Sequence, residues 1–141
     1  MYQEQVTDKN KALIHLFLHC CMKDKDFSAD EVRTVSDMIV ETGLHDQHNL
    51  TDEVKHYKEY ASAIKDETVY LDFLIRLIKP RNRLALLSFC IELFVSDRQV
   101  TLSEEVLISK IAALLYVGRP EQETLETLIT QLNEVRRNKT F

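Results

Sequence analysis

Apolar positions along this chain recur at helical spacing. Val32, Val35, Met38 and Ile39 share one face of a segment whose remaining positions include Arg33, Ser36, Asp37 and Glu41, the pattern of a helix lying on the outside of a bundle. The run "ALIHLFLHCCM", residues 12 to 22, is apolar nearly all round except for His15 and His19, which lie four apart on one stripe. Such a helix has no face to give to water and belongs in the centre.

Start and stop signals divide the chain into seven helices. Asp8 caps a first that runs to about Met22, and Ser28 caps a second that reaches Thr42 before the stop at Gly43. The stretch "LHDQHNL" is a loop, Thr51 or Asp52 opens a third helix, and Asp66 opens a fourth that ends near Pro80. A fifth covers about Asn82 to Ser96, Thr101 opens a sixth that closes at Gly118, and Pro120 stands in the first turn of a seventh.

An internal repeat appears when each residue is set over the one 73 positions later. Asp24 then falls on Asp97, Phe27 on Val100, Ser28 on Thr101 and Glu31 on Glu104, giving D-x-x-[FV]-[ST]-x-x-E twice. The same offset sets "ALIHLFLHCCM" on "ALLSFCIELFV", where nine of eleven pairs are apolar in both copies and the other two, His15 with Ser88 and His19 with Glu92, are polar in both. The first and fifth helices are therefore expected at the centre. "VLISKIAALLYV" in the sixth is apolar almost throughout, so that helix is expected to be more enclosed than the second.

Composition agrees with an all-α bundle. Two glycines and two prolines in 141 residues are too few for the turns of a β-sandwich, and a chain of this length buries roughly two thirds of its unfolded surface without disulfides or metal. A net charge of −5 and a pI near 5.5 argue against a nucleic-acid binder. The basic exceptions are "RLIKPRNR", with Arg76, Lys79, Arg81 and Arg83, and the later Arg136, Arg137 and Lys139; basic residues late in a helix complement its dipole. Three cysteines, Cys20, Cys21 and Cys90, with no C-x-x-C pair and a polar N-terminus, suit a reducing cytoplasm, and no apolar run is long enough for membrane insertion. The cysteines fall at core-type positions, where the residue is most often a small hydrophobe.

The acidic turn "DKDFSADE", Asp24 to Glu31, carries the main candidate chemistry. Ser28-x-x-Glu31 and Thr101-x-x-Glu104 are both capping boxes; Phe27 is placed for a hydrophobic staple on Val32, whereas Glu105 stands where Val100 would need such a partner. Capping leaves Asp24 and Asp97 unexplained, since a carboxylate just past a helix C-terminus meets the negative end of the dipole. A calcium or magnesium ion held by clustered oxygens would compensate. An EF-hand is excluded: Ala29 and Leu102 stand where its loop needs glycine, and Val35 and Ile108 stand where it needs the bidentate glutamate.

The doubled pattern of apolar helix, acidic turn and second helix resembles the TerB-like family of tellurite-resistance proteins. The resemblance extends from about Leu13 to Leu128 and is clearest in "LALLSFCIELFVSDRQVTLSEEVLISKIAALL". The family's turn usually reads A-D-G-x-[IV]-[ST]-x-x-E; here Lys25 and Arg98 replace its glycine, and Lys23 and Ser96 precede the aspartate. The resemblance implies a seven-helix bundle, a cytoplasmic location, no established catalytic activity and an acidic surface for metal ions. Residue by residue it carries over Asp24, Glu31, Asp97 and Glu104.

Other constellations are weaker. His15-x-x-x-His19 has the spacing of two zinc ligands but lacks the glutamate of H-E-x-x-H, and a polar stripe explains it. Glu53-x-x-His56 has the spacing used in di-iron bundles, without a second copy, and His45 and His48 join His56 as a further histidine group. The resulting expectation is a non-enzymatic cytoplasmic module in a stress response. Its two acidic turns would face a common surface and bind a divalent cation through Asp24, Asp26, Glu31, Asp97 and Glu104, or a basic protein partner. The alternatives are an interaction scaffold without metal and, third, a metal-dependent enzyme using His15 and His19.

Overall fold

A computed structural model describes residues 1–22, 29–44, 48–95 and 100–137, with the backbone alone at residues 29–31 and 137. The described residues form helices α1 (Tyr2–Gln5), α2 (Lys9–Met22), α3 (Ala29–Glu41), α4 (Leu50–Ala61), α5 (Glu67–Ile78), α6 (Arg83–Val95), α7 (Leu102–Leu114) and α8 (Arg119–Arg137), and no strand. The all-α bundle is as expected, with one short helix, α1, more than the seven predicted. No helix among them is long and apolar enough to cross a membrane.

Local chemistry sets most boundaries. Asp8 accepts from the Lys11 amide at 2.8 Å, Asp66 from Val69 at 3.2 Å and Asn82 from Ala85 at 2.9 Å, each satisfying an amide that the first turn leaves over. Gly43, at φ +78°, ends the α3 segment in the left-handed region. The cap of α4 is Asn49, which accepts from both Thr51 and Asp52, so the helix begins before either residue predicted to open it. Asparagine is among the strongest caps, and its extended backbone leaves Thr51 and Asp52 inside the first turn.

The end of α7 also differs from expectation. Tyr116, not Gly118, occupies the left-handed position, at φ +57°. Its amide bonds to Ala113 O at 3.1 Å and that of Val117 to Ala112 O at 2.9 Å, the paired bonds of a Schellman ending. A tyrosine there pays the Cβ clash that glycine avoids.

Helices α2 and α6 form the centre. The first packs against α3, α4, α5 and α6, the second against α2, α3, α7 and α8. Nine of the fourteen residues of α2 are buried, and Phe17 meets Phe89 across the α2–α6 crossing at 6.3 Å between ring centroids. Cys20, Cys21 and Cys90 are all buried in this region as free thiols. Helix α7 is more enclosed than its counterpart α3, as expected. Glu104, Leu107, Ile108, Ile111 and Ala112 are buried where it packs against α5, α6 and α8, compared with Val35, Met38 and Ile39 among the described side chains of α3, although Leu102 and Val106 are exposed. The outward face of α3 matches its pattern, with Val35, Met38 and Ile39 inside and Val32 left at the rim.

Candidate functional site

The densest polar group in the described residues lies inside the bundle, where α2, α4 and α5 meet. His15 and His19 are 0 % and 3 % exposed, so their stripe faces the core and not the surface. Across from it, α4 presents Glu53, Tyr57 and Tyr60, which recur at i, i+4 and i+7 and so share one face. Helix α5 adds Glu67 in its first turn and Tyr70 one turn later.

His15 makes two bonds: its Nε2 lies 2.9 Å from Glu53 Oε1 and its Nδ1 lies 2.6 Å from the Tyr60 hydroxyl. Burial lowers the pKa of His15, overriding the opposing pull of Glu53, so its ring is neutral near pH 7. Glu53 is also held below the usual carboxylate range: burial would raise it, but its bonds to His15 and His56 together prevail. The proton order follows. An ionised Glu53 only accepts, so His15 donates from Nε2 and accepts at Nδ1 from Tyr60, whose oxygen accepts from the Tyr70 hydroxyl 2.6 Å away. Burial raises the pKa of Tyr60 and of Tyr70, which keeps both as neutral donors.

His19 repeats the plan one turn on. Its Nδ1 lies 2.8 Å from the Tyr57 hydroxyl and its Nε2 donates to Glu67 Oε2 at 2.8 Å. Lys110 of α7 donates to the other oxygen of Glu67 at 2.9 Å. Stacking supports the pair: the His15 and Tyr60 rings lie 5.6 Å apart and nearly parallel, and Tyr2 of α1 closes over Tyr70 edge-on at 4.9 Å. Among the described residues no buried side-chain nitrogen or oxygen lacks a partner. The His19 half borders an open pocket of about 430 Å³ lined by Tyr57, Ser62, Lys65 and Glu67, whereas the His15 half is sealed.

The residues proposed for a metal are placed less fully. Asp24, Asp26 and Asp97 lie outside the described residues, as do Ser28, Phe27 and the side chain of Glu31, whose backbone is in the first turn of α3. Glu104 is described, and it is 7 % exposed. Its Oε1 accepts from the Thr101 amide at 3.0 Å while Thr101 Oγ1 accepts from the Glu104 amide at 3.1 Å, a complete capping box. The carboxylate set as a whole suits a hard cation, but this member is already engaged by its own backbone. No group of three or more His, Cys, Asp and Glu in the described residues is placed to hold a metal ion.

His45 also lies outside the described residues. His48 turns to Asp8 at 3.6 Å and His56 to Glu53 at 3.4 Å, so these two serve different carboxylates. The polar pair Ser88 and Glu92, which the sequence sets against His15 and His19, has another fate. Ser88 bonds back to Leu84 O, and Glu92 lines an open groove of about 600 Å³ with Asp37, Glu41 and Arg136. Arg136 lies 3.6 Å from Glu92, yet burial, helped by Glu41, raises that carboxyl's pKa.

The model of the family described as tellurite resistance protein TerB matches residues 10–135. The chain belongs to the TerB family. The TerB match runs from the first turn of α2 nearly to the end of α8, and so takes in the histidine network and both acidic segments. Neither a curated protein nor a solved structure matches this TerB-family chain.

Proposed function

We propose that this chain is a non-enzymatic, cytoplasmic TerB-type module of a chemical-stress response. In this reading it works by binding a divalent cation, calcium or magnesium, or a basic segment of a protein partner, at the acidic turns after α2 and α6. One observation carries the reading: both ring nitrogens of His15 and of His19 are bonded within the bundle. The histidine pair at zinc-ligand spacing is thus spent on holding α2 to α4 and α5, which leaves the carboxylates at positions 24, 26, 31 and 97 as the candidate ligands. Oxygen donors of this kind favour calcium or magnesium over zinc.

Titration with calcium, magnesium and zinc, followed by amide NMR shifts, tests it. Saturable shifts at residues 24–31 and 96–104 with calcium or magnesium are expected. Zinc shifts centred on His15 and His19 would instead favour an enzyme-like metal centre. The engagement of Glu104 in its capping box supports a second reading, an interaction scaffold in which each acid is a cap or a surface charge. No saturable shift with any of the three ions would select it.

A further inference from the structure

The basic stretch "RLIKPRNR" borders, through Arg76, Lys79, Pro80 and Arg83, a pocket that the acidic turns and the histidine network leave untouched. It lies where the ends of α5 and α7 meet the start of α6, has a volume of about 440 Å³, and is lined by Arg76, Lys79 and Arg83 over an apolar base that includes Leu114 and Leu115. Asp72 is the one acidic residue of its lining, and it is paired with Arg76 at 2.7 Å. Three cations against one carboxylate leave a local charge of about plus two in a chain whose net charge is −5.

Helix electrostatics explain only part of this. Arg76 and Lys79 close α5, where cations complement the dipole, but Arg83 is the first residue of α6, where a cation opposes it. The backbone adds a second, independent sign. Lys79 at φ +49° and Tyr116 at φ +57° are the two non-glycine residues with positive φ among those described, and both line this pocket. Each ends a helix at a position that glycine fills at less cost, and each instead sets at the pocket a side chain able to meet a ligand. Tyr116 is 83 % exposed, with the Arg83 guanidinium 5.1 Å from its ring centre.

We infer that this pocket binds a small phosphate monoester, the phosphate held by Arg76, Lys79 and Arg83 and the organic part set against Leu114, Leu115 and the Tyr116 ring. A phosphate monoester carries about 1.5 to 2 negative charges near pH 7, which matches the local excess. Arginine forks suit its oxygens, and Lys79 supplies a point charge. The volume exceeds what one phosphate needs, and the exposed ring gives a flat organic group a face to stack on.

Titrations of the full chain with phenyl phosphate and with inorganic phosphate, against sodium chloride at matched ionic strength, test the assignment by amide NMR shifts. Phenyl phosphate is expected to shift residues 76–83 and 114–117 saturably, and inorganic phosphate the same amides at least fivefold more weakly. Arg83→Gln and Lys79→Gln should each weaken both ligands about tenfold; both side chains are exposed, so the fold tolerates the changes. Tyr116→Gly should keep or raise the melting temperature, because glycine fits the left-handed turn, while weakening phenyl phosphate and leaving inorganic phosphate unchanged. Equal affinity for the two phosphates would overturn the ester assignment. Chloride shifts of the same size, or unchanged binding by the Arg83 and Lys79 variants, would overturn the site.

Discussion

His15 Nε2 lies 2.9 Å from Glu53 Oε1, and both residues are almost wholly buried although 38 positions separate them in the chain. The contact joins a neutral imidazole to an ionised carboxylate, and the order of donors beyond it runs back through Tyr60 to Tyr70. It ties the central helix to α4 by a bond that only one arrangement of the two faces allows. A network of this kind is costly to leave half made.

Truncating Glu53 removes the acceptor for a buried donor. Glu53→Ala is expected to lower unfolding stability by about 3 kcal/mol, and Glu53→Gln by less than half as much, since its amide oxygen still accepts. Tyr60→Phe, which leaves His15 Nδ1 without its donor, should cost about 2 kcal/mol. Urea melts at pH 7.5 measure all three. A loss under about 1 kcal/mol for Glu53→Ala would mean that water replaces the bond.

Acid should weaken the fold in two steps. The pKa of His15 is lowered in the folded state, so its contribution is fully present above its ordinary value of 6.5 and is lost as pH falls toward the folded value. Glu53 is lowered too, and its contribution is lost in the same direction, below its ordinary value of 4.5. The urea midpoint should therefore fall from pH 7.5 to pH 5 and again below pH 4.5, with His15→Gln flattening the upper step. A midpoint unchanged between pH 7.5 and 5 would show that folding leaves the His15 pKa at its ordinary value, and a midpoint that rises on acidification would show that His15 is already charged in the fold.

Glu92 has the opposite sign. Its pKa is raised by burial and by Glu41, so the folded state binds its proton more readily than the unfolded state does. Its effect is a loss of stability as pH rises through the folded value. Glu92→Gln should raise the melting temperature at pH 7.5 and change it little at pH 4; thermal melts of the two proteins at both values decide. A lower melting temperature at pH 7.5 would mean that the ion pair with Arg136 outweighs burial.

The capping box of α7 separates structural from ligand roles for Glu104. Thr101→Ala should cost about 1 kcal/mol and Glu104→Ala a similar amount, while Glu104→Gln, which can still reach the Thr101 amide, stays close to wild type. Chemical denaturation gives these values. Calcium binding that disappears in Glu104→Gln without any change in stability would assign the carboxylate to an ion.

The three cysteines should behave as core residues. Cys20 is buried beside Cys90, and burial raises its pKa first of all. A thiol reagent at pH 8 should label none of the three in the native protein on the timescale of minutes and all of them in urea. Rapid native labelling at Cys20 would reveal an opening of the α2–α6 contact.

Much of the architecture was legible because its causes are local. Asp8, Asp66 and the pair Thr101 and Glu104 announce helix starts by the oxygen that each places within three residues of an amide. The polar stripe of His15 and His19 was visible as spacing, and Glu53 as part of Glu53-x-x-His56, yet their partnership was not. Tyr57 and Tyr60 share a helical face with Glu53, which was the available signal, but many faces offer a tyrosine and a glutamate. Tyr116 gave no sign of its left-handed turn, since nothing in a tyrosine favours that backbone and the glycine two residues on was the natural stop.

An all-helical chain, most helix starts and the central place of α2 and α6 follow from caps, from few glycines and prolines, and from runs too apolar to face water. These depend on neighbours in sequence, whose energies act whatever the rest of the chain does. Which faces meet is another matter. The contacts from His15 to Tyr60 and from His19 to Glu67 span 45 and 48 positions, and the basic pocket gathers the ends of three helices. Such contacts come from packing the whole core at once, where each buried polar group accepts only an arrangement that satisfies it.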